Sequence, residues 1–199
     1  MPNKSTNPSQ SDLQQVAQDL AEGKKGAIGR LYAWYAHRLR QYGLQIVGSE
    51  HKDMVMTVVQ DFFMWLVKNP TSLKKVKKID AFIFKSIRNN LLQAQQKAQK
   101  KQQVRSDYRS TISQQPTVEN PSPERQLIDQ EAQNQQRALV SKVLQSLPTI
   151  QREVLFLRYF QDLSYKSIGE LLLVDEQVAR NYAYRAIKKL KGSRLNHDE

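Results

Sequence analysis

Residues 147–190 read LPTIQREVLFLRYFQDLSYKSIGELLLVDEQVARNYAYRAIKKL, and this stretch decides the fold. Pro148 suits the first turn of a helix, where its missing N–H leaves no backbone bond unmade. Ile150, Val154, Leu155 and Leu157 supply that helix with a buried side. Ser164 is a residue type that caps a helix N-terminus, and Leu163 with Ile168 stands at the two positions of a hydrophobic staple. The helix they open is short, ending near Leu172. Asp175 then caps a third helix that begins Glu176-Gln177-Val178 and runs to about Leu190. Two helices joined by so tight a turn form a helix-turn-helix unit, whose second helix enters the major groove and reads base edges with its first turns.

Those turns carry Gln177, Arg180, Asn181 and Tyr184, residue types that pair with base edges or phosphates. Arg185, Lys188 and Lys189 follow and suit phosphate contact. Ala179, Ala183 and Ala186, with Ile187 and Leu190, make the inward face of the same helix. An ordinary three-helix bundle with a basic surface helix is the competing reading. Capping, spacing and charge together favour the helix-turn-helix.

Working towards the N-terminus, residues 106–123 hold Pro116, Pro121 and Pro123 among Ser, Thr and Asn, a composition of loop or disorder. Helical periodicity resumes around Leu127 and Ile128 and continues through Leu139, Val143 and Leu147. Before the loop, Gln93 to Gln103 is a Gln/Lys segment without an apolar stripe, read as an exposed helical extension that frays into a linker. Four apolar-striped segments precede it. Leu13, Val16 and Leu20 mark the first, and Ile28, Leu31, Tyr32, Tyr35, Leu39, Tyr42 and Ile46 the second. His37 lies within this second stripe and reads as a packing residue. Val55, Val58, Val59, Phe62, Phe63, Leu66 and Val67 mark the third, which Asn69-Pro70-Thr71 ends. Phe82, Ile83, Ile87, Leu91 and Leu92 mark the fourth. No segment alternates with period two for long enough to make a sheet. The expected fold is all-α: two small helical bundles joined by a flexible linker, the C-terminal one a helix-turn-helix. The expected divisions are 12–104, a linker 105–133, and 134–195.

Charge narrows the function. The 199 residues carry a formal net charge of +12. Eleven basic residues fall between Lys74 and Arg109, opposed only by Asp80 and Asp107, and six more fall between Arg180 and Arg194 with no acid among them. Two separated basic surfaces point to two contacts along one nucleic acid. The simpler reading of each run is a solvated helix face.

Zero Cys excludes a disulfide scaffold, a Cys-built zinc site and a thiol nucleophile, and three scattered His residues offer little to a metal. The acid pairs Asp175-Glu176 and Glu124 with Asp129 have no companion His, Cys or Gly-rich phosphate loop, so no enzyme is expected and no cofactor is implied. With no signal-like h-region and no apolar run near the roughly 20 residues of a membrane span, a cytoplasmic protein without membrane insertion is expected.

The stretch at 147–190 resembles domain four of bacterial RNA polymerase sigma factors of the extracytoplasmic-function class. Leu147-Pro148, Arg152-Glu153-Val154, Leu163-Ser164-Tyr165, Ile168 with Glu170, and Arg185-Ala186 to Leu190 carry the likeness. Gly169 stands where that family usually has Ala, Leu173 where it has a turn Gly, Asp162 where Gly is common, and Ala179 where Val is usual. In the N-terminal half, residues 58–66 (VVQDFFMWL) resemble the family's helix that docks on the polymerase clamp, with Thr57 in place of an Asp. Residues 82–91 (FIFKSIRNNL) resemble the promoter-recognition helix that follows.

This resemblance implies that residues 12–104 form sigma domain two, which binds polymerase and melts the −10 element, and residues 134–195 domain four, which reads the −35 element. Gln60, Asp61 and Trp65 would then meet the polymerase, while Phe62 and Phe63 read as core. Lys74, Lys75, Lys77 and Lys78 would hold single-strand phosphates beside Lys85, Arg88 and Asn89 at the −10 element. Gln177, Arg180, Asn181, Tyr184, Arg185 and Lys188 would meet the −35 element. The implied partners are core RNA polymerase, promoter DNA and an anti-sigma factor. A helix-turn-helix regulator that never acts as a polymerase subunit is the alternative.

Overall fold

A computed structural model describes residues 8–109, 144 and 146–195. Ser9 opens the first helix, α1 (Gln10–Ala21), with a reciprocal cap: its hydroxyl accepts the Asp12 N–H, and Asp12 accepts the Ser9 N–H at 2.9 Å. Gly23 and Gly26 turn the chain into α2 (Ala27–Val47), which buries Leu31, Tyr35, Leu39 and Tyr42. One turn of 3-10 helix, Ser49–His51, leads into α3 (Lys52–Lys68). α2 and α3 approach closely at Gly43, where a Cβ would lie 2.6 Å from a Val55 methyl. α4 (Ile79–Arg109) packs on both, so the helix continues past residue 104 into the stretch expected to be linker.

The C-terminal module consists of α5 (Thr149–Leu155), α6 (Tyr165–Leu172) and α7 (Glu176–Leu195). Pro148 occupies the cap position of α5, one residue ahead of its first turn. α5 runs on as a π-helical segment, Phe156–Phe160, the kind of bulge that re-aims side chains within a helix. Among the described residues there is no strand, as the absence of period-two segments predicts. The expected helices around Leu127, Ile128, Leu139 and Val143, and the Pro-rich stretch, lie outside the described residues.

Two features depart from the sequence reading. His37 is exposed: it points off the buried stripe of α2 that Tyr35, Arg38, Leu39 and Tyr42 form. The two modules also do not have separate interiors. One apolar cluster runs from Leu13 on α1 to Ala183 on α7, with α2 against α5 and α4 against α6. A second, small cluster of Leu147, Leu155 and Ala186 joins α5 to α7.

Candidate nucleic-acid interface

The short α6 depends on its ends. The Ser164 hydroxyl accepts the Ser167 N–H at 3.1 Å, satisfying one of the helix's orphan donors, and Leu163 and Ile168 are buried as a staple requires. At the far end Leu173 takes up the left-handed conformation (φ 60°, ψ 44°), and the Val174 N–H reaches back to the Gly169 carbonyl at 3.0 Å. Asp162, before α6, has φ 54°. Both non-glycine residues at family glycine positions therefore hold the glycine-like backbone conformation.

This turn delivers α7 with Ala179, Ala183 and Ala186 buried and its opposite face in solvent. Gln177, Arg180, Asn181, Tyr184, Arg185 and Lys188 are all exposed. They are partly ordered among themselves. Gln177 Nε2 donates to Asn181 Oδ1 at 3.3 Å, and Arg180 pairs with Glu176 one turn back while its guanidinium lies 4.9 Å from the Tyr165 ring centroid. Such contacts reduce the rotamer freedom lost when a side chain meets a partner.

The other basic surface lies between α3 and the first turns of α4. Leu73 is buried there, and Gln14 and Gln10 from α1 donate to the carbonyls of Val76 and Lys77, tying the connector down. Lys74, Lys75, Lys77 and Asn89 face solvent. Lys78, Lys85 and Arg88 face the C-terminal module instead. Lys78 Nζ lies 3.1 Å from both carboxylate oxygens of Glu170, Lys85 Nζ donates to the Glu170 carbonyl at 3.3 Å, and Arg88 Nε donates to Glu153 Oε2 at 2.8 Å. Glu153 is only 2% exposed and also accepts the Tyr42 hydroxyl at 3.0 Å. Burial pushes its carboxyl up, with Arg88 opposing.

Residues 137–190 match the family Sigma-70, region 4. The C-terminal module is thus similar to sigma-70 region 4 over those residues. Among solved structures the chain is similar to one described as the structure of CnrH in complex with the cytosolic domain of CnrY, at 21% identity and a TM-score of 0.59. That likeness covers 94% of this chain and 98% of the other, and it is one of fold. No curated protein matches. The sigma-factor resemblance seen in both halves of the sequence is thus met by a family match in one half and a shared fold across both.

The module similar to region 4 presents α7 to solvent while its first two helices lie against the N-terminal module. On the far side of that module, α3 turns Gln60 and Asp61 outward, with Trp65 at 42% exposure stacked on Phe62. Phe62 and Phe63 are core, as expected. Met56 and Met64 share the open side of α3, with Met64 56% exposed, and sequence reasoning passed over them; Val67, read from the sequence as part of the apolar stripe, is exposed there as well. Sequence reasoning also passed over Glu153, Glu170, Arg38 and Gln161 as partners between modules. One signal was available: a glutamate at position 153 between the apolar positions 150 and 154 lies on or beside the buried face and needs a cation or donor there.

Proposed function

We propose that the chain is a sigma factor that binds core RNA polymerase and directs promoter-specific initiation at two DNA elements. α7 enters the major groove of the −35 element, with Gln177, Arg180, Asn181 and Tyr184 meeting base edges and Arg185 and Lys188 meeting phosphates. The connector Lys74–Lys78 and the start of α4 engage the −10 element. There Lys74, Lys75, Lys77, Lys78, Lys85 and Arg88 neutralise single-strand backbone and Asn89 hydrogen-bonds an exposed base. Unstacking costs a few kcal/mol per step, which these contacts must offset. α3 docks on the polymerase through Gln60, Asp61 and Trp65, supported by the exposed Met56 and Met64.

The observation that carries this reading is the exposure of α7. Every polar position of α7 assigned to DNA is in solvent, and the alanines between them are buried. CnrH is described in complex with a cytosolic domain of another chain, and a comparable anti-sigma partner belongs to this proposal.

Run-off transcription with purified bacterial core polymerase on a library of linear promoters tests the function directly. A subset of promoters is expected to be transcribed only when the chain is present. Transcription from none, together with DNA binding by the chain alone and no co-elution with core polymerase, identifies a helix-turn-helix regulator instead.

A further inference from the structure

We propose that Met56 and Met64 on α3 form an oxidation site: a peroxide converts their thioethers to sulfoxides, and the oxidised chain lets go of core polymerase. This inference rests on α3 being the polymerase-docking helix argued above, and it adds a chemical control to that face. The 199 residues contain no Cys and four Met. Three of the four, Met54, Met56 and Met64, fall within the 17 residues of α3. No sulfur occurs in α4, α5, α6 or α7, the elements assigned to DNA and to the packing of the C-terminal module. The sulfur of the chain is concentrated on one helix.

Met56, Gln60 and Met64 stand at every fourth position and so line one stripe of α3. Met56 is 43% and Met64 56% exposed, and the Trp65 ring next to Met64 in sequence stacks on Phe62. On the opposite side Val55, Val58, Val59, Phe62, Phe63 and Leu66 are buried and hold α3 in the bundle. The two exposed thioethers take no part in that packing. They are apolar surface left in water, and a partner that covers them gains their burial. Met54 differs, being half-buried and packed against the core.

Hydrogen peroxide reaches an exposed thioether without any opening of the fold. The sulfur lone pair attacks one peroxide oxygen, and an S–O bond forms as the O–O bond breaks. The departing hydroxide takes the proton left on the transferred oxygen and leaves as water. Sulfur loses two electrons and the peroxide gains them. The product is a polar acceptor on a side chain that was apolar. In the free chain the sulfoxide stays hydrated and costs the fold little. In a docked face it must shed that water, so the penalty falls on binding. Methionine sulfoxide reductases reverse the change, and with no Cys in the chain no thiol competes for the oxidant.

The full chain is treated with hydrogen peroxide, and catalase removes the excess before core polymerase is added. Peptide mass mapping reads sulfoxide at positions 54, 56 and 64, and binding to immobilised core polymerase gives the affinity. The oxidised chain is expected to bind about tenfold more weakly than the untreated one. Sulfoxide reductases of both epimer specificities, with dithiothreitol, are expected to restore binding. Met56→Leu with Met64→Leu keeps the stripe apolar and removes its sulfur. Compared with itself before and after peroxide, this variant is expected to show no change in affinity. Undiminished binding by a wild-type chain carrying both sulfoxides overturns the proposal and leaves the proposed function standing. An equal loss in the double variant also overturns it, because the effect then comes from Met54 and the core. So does a chain in which positions 56 and 64 stay unoxidised while free methionine in the same tube is converted. Failure of the untreated chain to bind core polymerase defeats the underlying reading instead.

Discussion

Gly169 and Val174 close the turn of the helix-turn-helix from both sides: the Val174 N–H donates to the Gly169 carbonyl at 3.0 Å, and a Cβ on Gly169 would lie 2.6 Å from the Val174 carbonyl oxygen. Leu173, between them in sequence, is 77% exposed and left-handed. Relative to the sigma-factor pattern, the small residue has moved from the turn to the helix that precedes it.

Two opposite effects follow from that exchange. Gly169→Ala forces a methyl against backbone and is expected to cost about 1–3 kcal/mol. Leu173→Gly relieves a left-handed penalty of roughly 1–2 kcal/mol, less about 0.4–1 kcal/mol for the extra freedom of the unfolded chain, so it stabilises by up to about 1.6 kcal/mol. Thermal melts of the two single variants and the double read both signs. In the double variant the cost of Gly169→Ala is expected to shrink, because a glycine at position 173 lets the turn open. Strict additivity would show that the two sites are independent.

Ser164→Ala removes the side-chain acceptor for the Ser167 N–H from a helix only eight residues long. A loss of about 1 kcal/mol is expected. Denaturant unfolding should show a lower midpoint with an unchanged slope, because no new surface is exposed.

Asp19 carries an acid dependence. The Arg30 guanidinium, then Lys24 and Gln15, hold its carboxyl at about 2 against an ordinary 3.8. A folded-state value below the unfolded one means that stability from this group is complete above the ordinary value. It is lost as pH falls through the interval down to about 2. Melts across that interval should show Asp19→Asn flattening the acid limb relative to wild type. Parallel limbs would remove Asp19 from the account.

Arg180→Ala and Asn181→Ala act on exposed side chains, so the melting temperature should change little. Each is expected to reduce discrimination between matched and scrambled −35 sequences by roughly 1–3 kcal/mol, the worth of a good base contact. Footprints with polymerase on both templates read the difference, and unchanged footprints would move the reading face elsewhere on α7.

At the surface proposed for the −10 element, Lys85→Ala with Arg88→Ala is expected to lower open-complex formation while co-elution with core polymerase is retained. Permanganate reactivity of template thymines reports the first and gel filtration the second. Equal reactivity in wild type and variant would exclude these two residues from melting.

The sequence by itself determined what is local. Ser9 and Ser164 cap because a hydroxyl beside free N–H groups needs only its near neighbours, and the stripe from Leu31 to Ile46 repeats at the helical period. The alanine face of α7 and its polar opposite were legible for the same reason. His37 shows the limit of that reading, since a stripe one residue too wide is indistinguishable from a true one until a neighbour covers it or does not. Only the tertiary structure decided which basic side chains are open and which are held. Arg88 meets Glu153 across 65 positions, Tyr42 meets it across 111, and Arg38 meets Gln161 across 123. No periodicity links residues so far apart. Such pairs exist only because apolar burial brings α2 and α4 against α5 and α6 and leaves each buried charge to find a partner there.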